Sequence, residues 1–242
     1  FQYLCAERWG PKNNYPYSTQ RRSKHWLGIH GEFTPQVLNE IISSGDKTIS
    51  FKKSDPRIHT NTRGRSLEES LYEWMGEISP GVFFAPNTIK EADIATNEFK
   101  FDGENYRPVN VGFGLSYSIS IVTALLLTSP GGLVILENPE AHLHPKGQSY
   151  LGRLIALAAA AGVQVIVETH SDHLLNGMRL IARTKETFDP STLTLYYISK
   201  GGEKCNVEKI SISKDGKLSN WPKGFFDQQS LDMLTIVTGK ES

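Results

Sequence analysis

The chain has 242 residues, 38% of them hydrophobic, enough for one large domain with a buried core. Its 26 Lys and Arg balance 26 Asp and Glu, so net charge supplies no general pull toward nucleic acid or an acidic membrane surface. Cys5 and Cys205, the only cysteines, exclude a disulfide framework and a zinc finger and point to a reducing cytoplasm, and no apolar run reaches the roughly 18 to 20 residues of a membrane span.

Residues 1–20 read as a strand end followed by a loop carrying Gly10-Pro11 and Pro16, with Leu4, Ala6, Glu7 and Arg8 closing the strand near a ligand edge. Arg21-Arg22-Ser23-Lys24 is a short basic cluster, either a solvated surface or a phosphate contact. A helix is expected over 34–43: Thr34 can cap it, Pro35 sits in its first turn, and Val37, Leu38, Ile41 and Ile42 recur at helical spacing. Residues 44–65 are polar and rich in turn formers, which predicts an exposed connection. Ser66-Leu67-Glu68-Glu69 has the capping-box pattern, with Leu67, Leu71, Trp74 and Met75 forming an apolar stripe behind it. Residues 81–89 and 99–106 read as strands. The stretch 25–105 is therefore expected to be a small α+β insertion ahead of a parallel core.

Asn110, Gly112, Gly114 and Ser116 mark a Gly-spaced turn opening an apolar helix through Ile119, Val122 and Leu126. Backbone N–H groups and the helix dipole at such a turn suit an anion, although glycine also serves tight packing. An apolar strand, Leu133-Val134-Ile135-Leu136, then ends in Glu137 and is followed by Asn138-Pro139-Glu140 and His142-Leu143-His144-Pro145. A long helix leads to a second apolar strand, which ends in Glu168-Thr169-His170. Strand, helix, strand with polar groups at both carboxyl ends is the arrangement in which open α/β sheets bind ligands. Beyond His170 come Ser171, Asp172 and His173, a helix through Leu174 and Ile181, and strands over 192–199 and 206–213 turning near Gly201-Gly202.

A hydrophobic strand ending in an acid suits Mg²⁺ held near phosphates, and Glu137 fills that place. Asn138 follows where many ATPases of this kind carry a carboxylate. Its amide can hold a water but cannot take its proton, and Glu140 is the nearest replacement. His170, at the tip of the neighbouring strand, can donate a hydrogen bond to a γ-phosphate.

The segments around 110–116, 133–145 and 168–176 resemble the C-terminal half of an ABC-type ATPase domain, as found in SMC-like repair ATPases and in the overcoming-lysogenization-defect group of bacterial AAA-labelled ATPases. Glu-Asn-Pro-Glu-Ala-His-Leu-His-Pro followed by Glu-Thr-His-Ser-Asp-His is similar to a branch that ends in a short domain of unknown function, and Gly224-Phe225-Phe226-Asp227 resembles that ending. The resemblance implies an α/β fold with a parallel sheet flanked by helices. It also implies ATP and Mg²⁺ as ligands, a head-to-tail homodimer, and work on DNA or in phage defence. Position by position, it makes Glu137 the Walker B acid holding Mg²⁺ and Glu140, or a water on Asn138, the stand-in for the second glutamate. His142, Leu143 and His144 fall in the dimer-facing D-loop region, and His170 is the switch histidine. Asn110, Gly112, Gly114 and Ser116 take the place of the signature that faces a partner's γ-phosphate, though they depart from Leu-Ser-Gly-Gly-Gln.

No Gly-x-x-x-x-Gly-Lys-Ser/Thr occurs in the chain; Gly45-Asp46-Lys47-Thr48 comes nearest. With Phe1 in place of Met, this sets the expectation of a fragment whose N-terminal lobe, bearing the P-loop, lies upstream and without which ATP is not hydrolysed. The expected division is a leading strand and loop over 1–24, the insertion over 25–105, the ATPase lobe over 106–200 and an extension over 201–242. Two rival readings stand beside this one. His142, His144, His170, Asp172 and His173 offer ligands for a metal-dependent hydrolase. Arg21, Arg22, Lys24 and the loop at 52–65 could serve a nucleic-acid-binding module.

Overall fold

The computed structural model describes residues 1–44, 50–201 and 204–239; Gly45-Asp46-Lys47-Thr48 and Gly202 lie outside the described residues. In chain order the elements are β1 (Gln2–Leu4), β2 (Tyr15–Pro16), α1 (Thr34–Ser44), α2 (Leu67–Ile78), β3 (Val82–Ile89), β4 (Ile94–Phe101) and β5 (Glu104–Tyr106). There follow α3 (Phe113–Leu127), β6 (Leu133–Glu137), α4 (Pro145–Ala160), β7 (Gln164–Glu168), α5 (Asp172–Thr184), β8 (Thr194–Gly201), β9 (Lys204–Ser211) and α6 (Gln228–Thr238). They form two compact units, Phe1–Met178 and Arg179–Ser242. No described helix is long and apolar enough to cross a membrane.

The first unit is built on a parallel sheet in the order β1-β6-β7. Val134 and Leu136, on one face of β6, are fully buried, as is Leu4 beside Leu136, while Leu133 and Ile135 on the other face are partly covered. Register sets Glu137 beside Glu168, so the carboxyl ends of β6 and β7 finish level. Behind the sheet lies α3, apolar on all sides and buried along nearly its whole length, with α1, α2 and α4 packed around it. Helices α4 and α5 approach backbone to backbone. A Cβ on Gly152 would run into the Leu174 carbonyl, and one on Gly177 into that of Ser149.

An antiparallel sheet, β2-β4-β3 with β5 on β4, precedes α3 and packs on α1. The predicted strand at 99–106 is two strands. The chain reverses at Asp102 and Gly103, both at positive φ, and β5 folds back on β4. The sheet also recruits β2, so its chain begins before residue 25. The helix starts at Thr34 as expected, and the Thr34 hydroxyl donates to Ser120 Oγ at 3.1 Å. The Ser66 cap forms as expected, accepting from the Glu69 N–H, but Glu69 reaches back to the Gly64 N–H instead of to Ser66.

The stretch after residue 50 is not the exposed connection its polarity suggests. Phe51, Arg57 and His59 are buried. Arg57 lies at the C-terminus of α3, donating to the carbonyls of Leu125 (3.0 Å) and Thr128 (2.6 Å), while Asp55 holds the guanidinium from the other side at 2.7 and 3.0 Å. Those carbonyls have no partner within their own helix, and a cation there also meets the negative end of the dipole.

The second unit holds the β8-β9 hairpin and α6. Its border falls at 178/179 and not at 200/201, because β8 and β9 pair over their whole length and cannot be divided between domains. Phe225 is buried among Tyr197, Trp221 and Phe226. Lys214 ties a loop shut by donating to the carbonyls of Lys185, Glu186 and Phe188.

Candidate functional site

Strand β6 delivers Glu137 to the carboxyl edge of the parallel sheet, and β1, its neighbour, grips it there. Tyr3 Oη donates to one carboxylate oxygen at 2.7 Å and the Ala6 N–H to the other at 3.0 Å. The Tyr3 hydroxyl first, and the Ala6 amide second, hold the Glu137 pKa below the usual carboxylate range, so the group is ionised at neutral pH.

Asn138 turns the chain at φ +41, a left-handed conformation that asparagine tolerates better than most residues. Its N–H donates to the Glu168 carbonyl at 3.0 Å and lies 3.3 Å from that residue's carboxylate, fastening the β6 tip to the β7 tip. Glu140 fastens them again. One of its oxygens accepts from Thr169 Oγ1 at 2.7 Å and the other from the His170 N–H at 2.8 Å. Thr169 Oγ1 also accepts from the Ser171 N–H. Ser171 Oγ caps α5 by accepting from the Leu174 N–H and itself donates to Gln148 of α4. His170 is left with its ring 84% exposed, Nε2 3.2 Å from Glu168 Oε1. The tips therefore present an anchored carboxylate, an amide, a solvent-facing imidazole and the carboxylate of Glu168.

Sequence reasoning placed Arg8 near this edge but gave it no role. Arg8 is 3% exposed, and its guanidinium donates to three carbonyls, those of Cys5 (2.8 Å), Glu137 (2.5 Å) and Asn138 (2.7 Å). It also lies over the Tyr117 ring of α3 at 5.1 Å. Burial pulls its pKa down from the ordinary guanidinium value. One side chain thus joins the end of β1, the turn after β6 and the first turns of α3. The available signal was a cation directly after a strand and before Gly10-Pro11.

Of the signature-like residues, Asn110 and Gly112 are exposed while Gly114 and Ser116 are buried. Space is open where a Gly112 Cβ would stand, and α3 has no side-chain cap at its N-terminus. A Cβ on Gly114 would meet the His142 carbonyl, so this glycine lets the loop after β6 lie against α3. His142, at φ +62, packs its ring on Phe113 and Tyr117.

The histidines do not converge. His142 is committed to the rings of α3, His144 caps α4 by accepting from the Lys146 N–H, His170 faces solvent beside Glu168, and His173 pairs with its neighbour Asp172 at 3.8 Å. Among the described residues no group of three or more His, Cys, Asp or Glu could hold a metal ion, which removes the support for the metal-dependent hydrolase. The basic cluster is likewise occupied. Arg21 is paired with Glu40 at 2.6 Å, and Arg22 lies over Phe1 and Trp26. Arg57 is buried, while Lys24 and, within the loop at 52–65, Lys52, Lys53, Arg63 and Arg65 are exposed.

Residues 36–176 match the family model described as "AAA domain, putative AbiEii toxin, Type IV TA system". The chain belongs to this AAA family. Residues 189–236 match a second model, a protein of unknown function (DUF3696), where the sequence suggested such an ending. No curated protein matches. Among solved structures, the chain is similar to one described under "ATP-driven dimerization and DNA stimulated activation of SMC ATPases", at 12% identity and a TM-score of 0.46, over 86% of this chain and 99% of that one. It is also similar to an Smc head domain with an extended coiled coil from Pyrococcus furiosus, at 11% identity and TM-score 0.45, over 86% of this chain and 42% of that one. A third, from Pyrococcus yayanosii, has 16% identity and TM-score 0.44 over 60% of this chain and 26% of that one. These scores are low, and the fold stands on the family match and on the sheet itself. The AAA domain is an α/β lobe of P-loop NTPase type with a parallel sheet flanked by helices, and its family is ATPase-like. Within it, Glu137, Asn138 and Glu140 follow one core strand and Glu168, Thr169 and His170 close the next.

Proposed function

We propose that this chain supplies the acid-and-histidine half of an ATP-hydrolysing site. The observation that carries the reading is the level ending of β6 and β7, which brings anchored Glu137 alongside Glu168 and His170 in an AAA domain. Mg²⁺ suits these residues. It binds through one or two carboxylates together with phosphate oxygens and water, not through a cage of protein ligands. Glu137 is ionised, and each of its oxygens, having accepted one hydrogen bond, keeps a lone pair for a cation. When bound, Mg²⁺ would neutralise charge on the phosphoryl group being transferred.

The remaining roles belong to side chains. His170 donates to the γ-phosphate, its Nε2 lying 3.2 Å from Glu168 Oε1. Glu140, with both oxygens held by Thr169 and His170, keeps the histidine loop in place and is poorly free to act as a base. Asn138 holds the attacking water through its amide, and Glu168, whose carboxylate lies beside the Asn138 N–H and His170, accepts the proton. The exposed, uncapped start of α3 at Gly112 offers its first N–H groups to the γ-phosphate held by a second copy, with Asn110 exposed beside it and Gly114 and Ser116 shaping the turn from within. Two copies then face head to tail as a homodimer.

The sequence carries no Gly-x-x-x-x-Gly-Lys-Ser/Thr, and in this reading the phosphate cradle and its lysine are supplied by an upstream lobe of the same protein. The outer edge of β7, the end strand of the sheet, offers such a lobe a place to join. Two free cysteines suit the cytoplasm, and DNA transactions or phage defence are the settings the resemblance suggests. MgATP turnover, measured on this chain and on one extended upstream through a P-loop, tests the proposal. Activity is expected only in the extended protein, and Glu137→Gln and His170→Ala should each lower its kcat by about 100-fold or more. Turnover by the short chain at about 1 s⁻¹ or faster, or an extended Glu137→Gln enzyme as active as its parent, would overturn it.

A further inference from the structure

Helix α4 carries Gln148 in its first turn, half-buried between the loops that follow β6 and β7. Its Nε2 donates to the Leu143 carbonyl of the first loop at 2.9 Å, and its Oε1 accepts from Ser171 Oγ of the second at 2.6 Å. The carbonyl can only accept, which fixes the amide the way round that leaves its oxygen for the serine hydroxyl. A carboxylate in its place would only accept, and a thioether would not donate. Gln148 also stands on a rigid base, because α4 and α5 touch at Gly152 and Gly177, where neither backbone leaves room for a Cβ.

The exposed His170 ring is not held by packing, so its position follows from the backbone that bears it. That backbone is pinned on both sides of the histidine. Glu140 accepts from Thr169 Oγ1 and from the His170 N–H before it, and Gln148 accepts from Ser171 after it. Ser171 in turn donates its N–H to Thr169 Oγ1 at 3.1 Å. On the other side, the Leu143 N–H donates to the Glu140 carbonyl at 3.0 Å. The bonds therefore close a ring, from Glu140 to Thr169, Ser171, Gln148, Leu143 and back to Glu140, and His170 sits between two of its members. Gln148 is the one member of this ring that belongs to neither loop.

We propose that Gln148 is a positioning residue for the hydrolytic site, setting where His170 stands by tying its loop to the loop that leaves Glu137. The proposal rests on the ATPase reading of those two loops. A shift of about 1 Å at a reacting group can cost on the order of 100-fold in rate. With Glu140 still in place, Gln148→Met should lower kcat of the upstream-extended protein about tenfold and leave KM for MgATP within about twofold. Added to His170→Ala it should cost less than about twofold more, because a residue that acts through the histidine then has nothing left to position. Gln148→Glu keeps an acceptor for Ser171 but sets a carboxylate against the Leu143 carbonyl, and it should be no faster than Gln148→Met. In the present chain, amide exchange followed by NMR should speed up about tenfold or more at His170 and Ser171 in Gln148→Met, and stay unchanged at Ala6, whose N–H is held by Glu137. Parent-like kcat in either Gln148 variant, full additivity with His170→Ala, or unaltered exchange at His170 and Ser171 would overturn the proposal. A Glu137→Gln enzyme as active as its parent overturns the ATPase reading instead, and the exchange rates alone then decide whether Gln148 positions this loop.

Discussion

Glu137 and Arg8 show how much of the strand-tip geometry rests on single side chains. The Glu137 carboxylate is favoured in the folded state by the Tyr3 hydroxyl and the Ala6 N–H, so its folded pKa lies below its unfolded one. Its contribution to stability is complete above the ordinary glutamate value of about 4.3 and is lost as pH falls through the lower, folded value. Urea midpoints measured against pH should therefore drop more gently below about pH 4.3 in Glu137→Gln than in the parent. Arg8 answers three carbonyls from a buried position. Arg8→Met should cost about 2 to 3 kcal/mol in urea unfolding, because buried acceptors lose their donor. Arg8→Lys should recover only part of that, since an ammonium cannot span the fork. The position of Glu137 and His170 at the strand ends was legible because an acid or a histidine directly after an apolar strand stands out. The work of Arg8 was not, because two of its three acceptors are backbone groups more than a hundred residues away that no side-chain pattern announces.

At the scale of elements, local rules read well where the code is local. The Ser66 cap, the apolar stripe of α2 and strand β6 all follow from short-range pattern. Reading failed where tertiary contact decided. Residues 50–65 look like solvent-facing chain because they are polar, yet Arg57 is held between Asp55 and the end of α3. Arg57→Ala should destabilise the chain by about 3 kcal/mol in chemical denaturation, since it strands a buried carboxylate and helix-end carbonyls together. Asp55→Asn, which keeps the capping bonds and loses only the charge, should cost clearly less. Strand β2 was missed for another reason: two residues carry no periodicity, and only β4 makes them a strand.

For the whole molecule, the α/β class and the parallel core were readable from two strand tips joined by a helix. The border between the units was not. It is set by the β8-β9 pairing, and a hairpin's partners are chosen by register across a turn, not by composition on either side of a cut. The antiparallel sheet was seen as strands, but the gap between β2 and β5 depends on where pairing stops, which has no signature in sequence.

Strand β7 closes the parallel sheet on one side, and its apolar residues Val165, Ile166 and Val167 are only partly covered, Ile166 remaining 50% exposed. A hydrophobic terminal strand of this kind is a template on which other chains can crystallise into sheet. The chain handled by itself should accordingly be colloidally fragile, scattering more light as it is concentrated while its circular dichroism stays native. Ile166→Lys, a charge of the sort natural proteins place on such strands, should keep it monodisperse at several times the concentration. Light scattering of the two proteins side by side decides the matter, and equal growth of scattering in both would place the stickiness on some other surface.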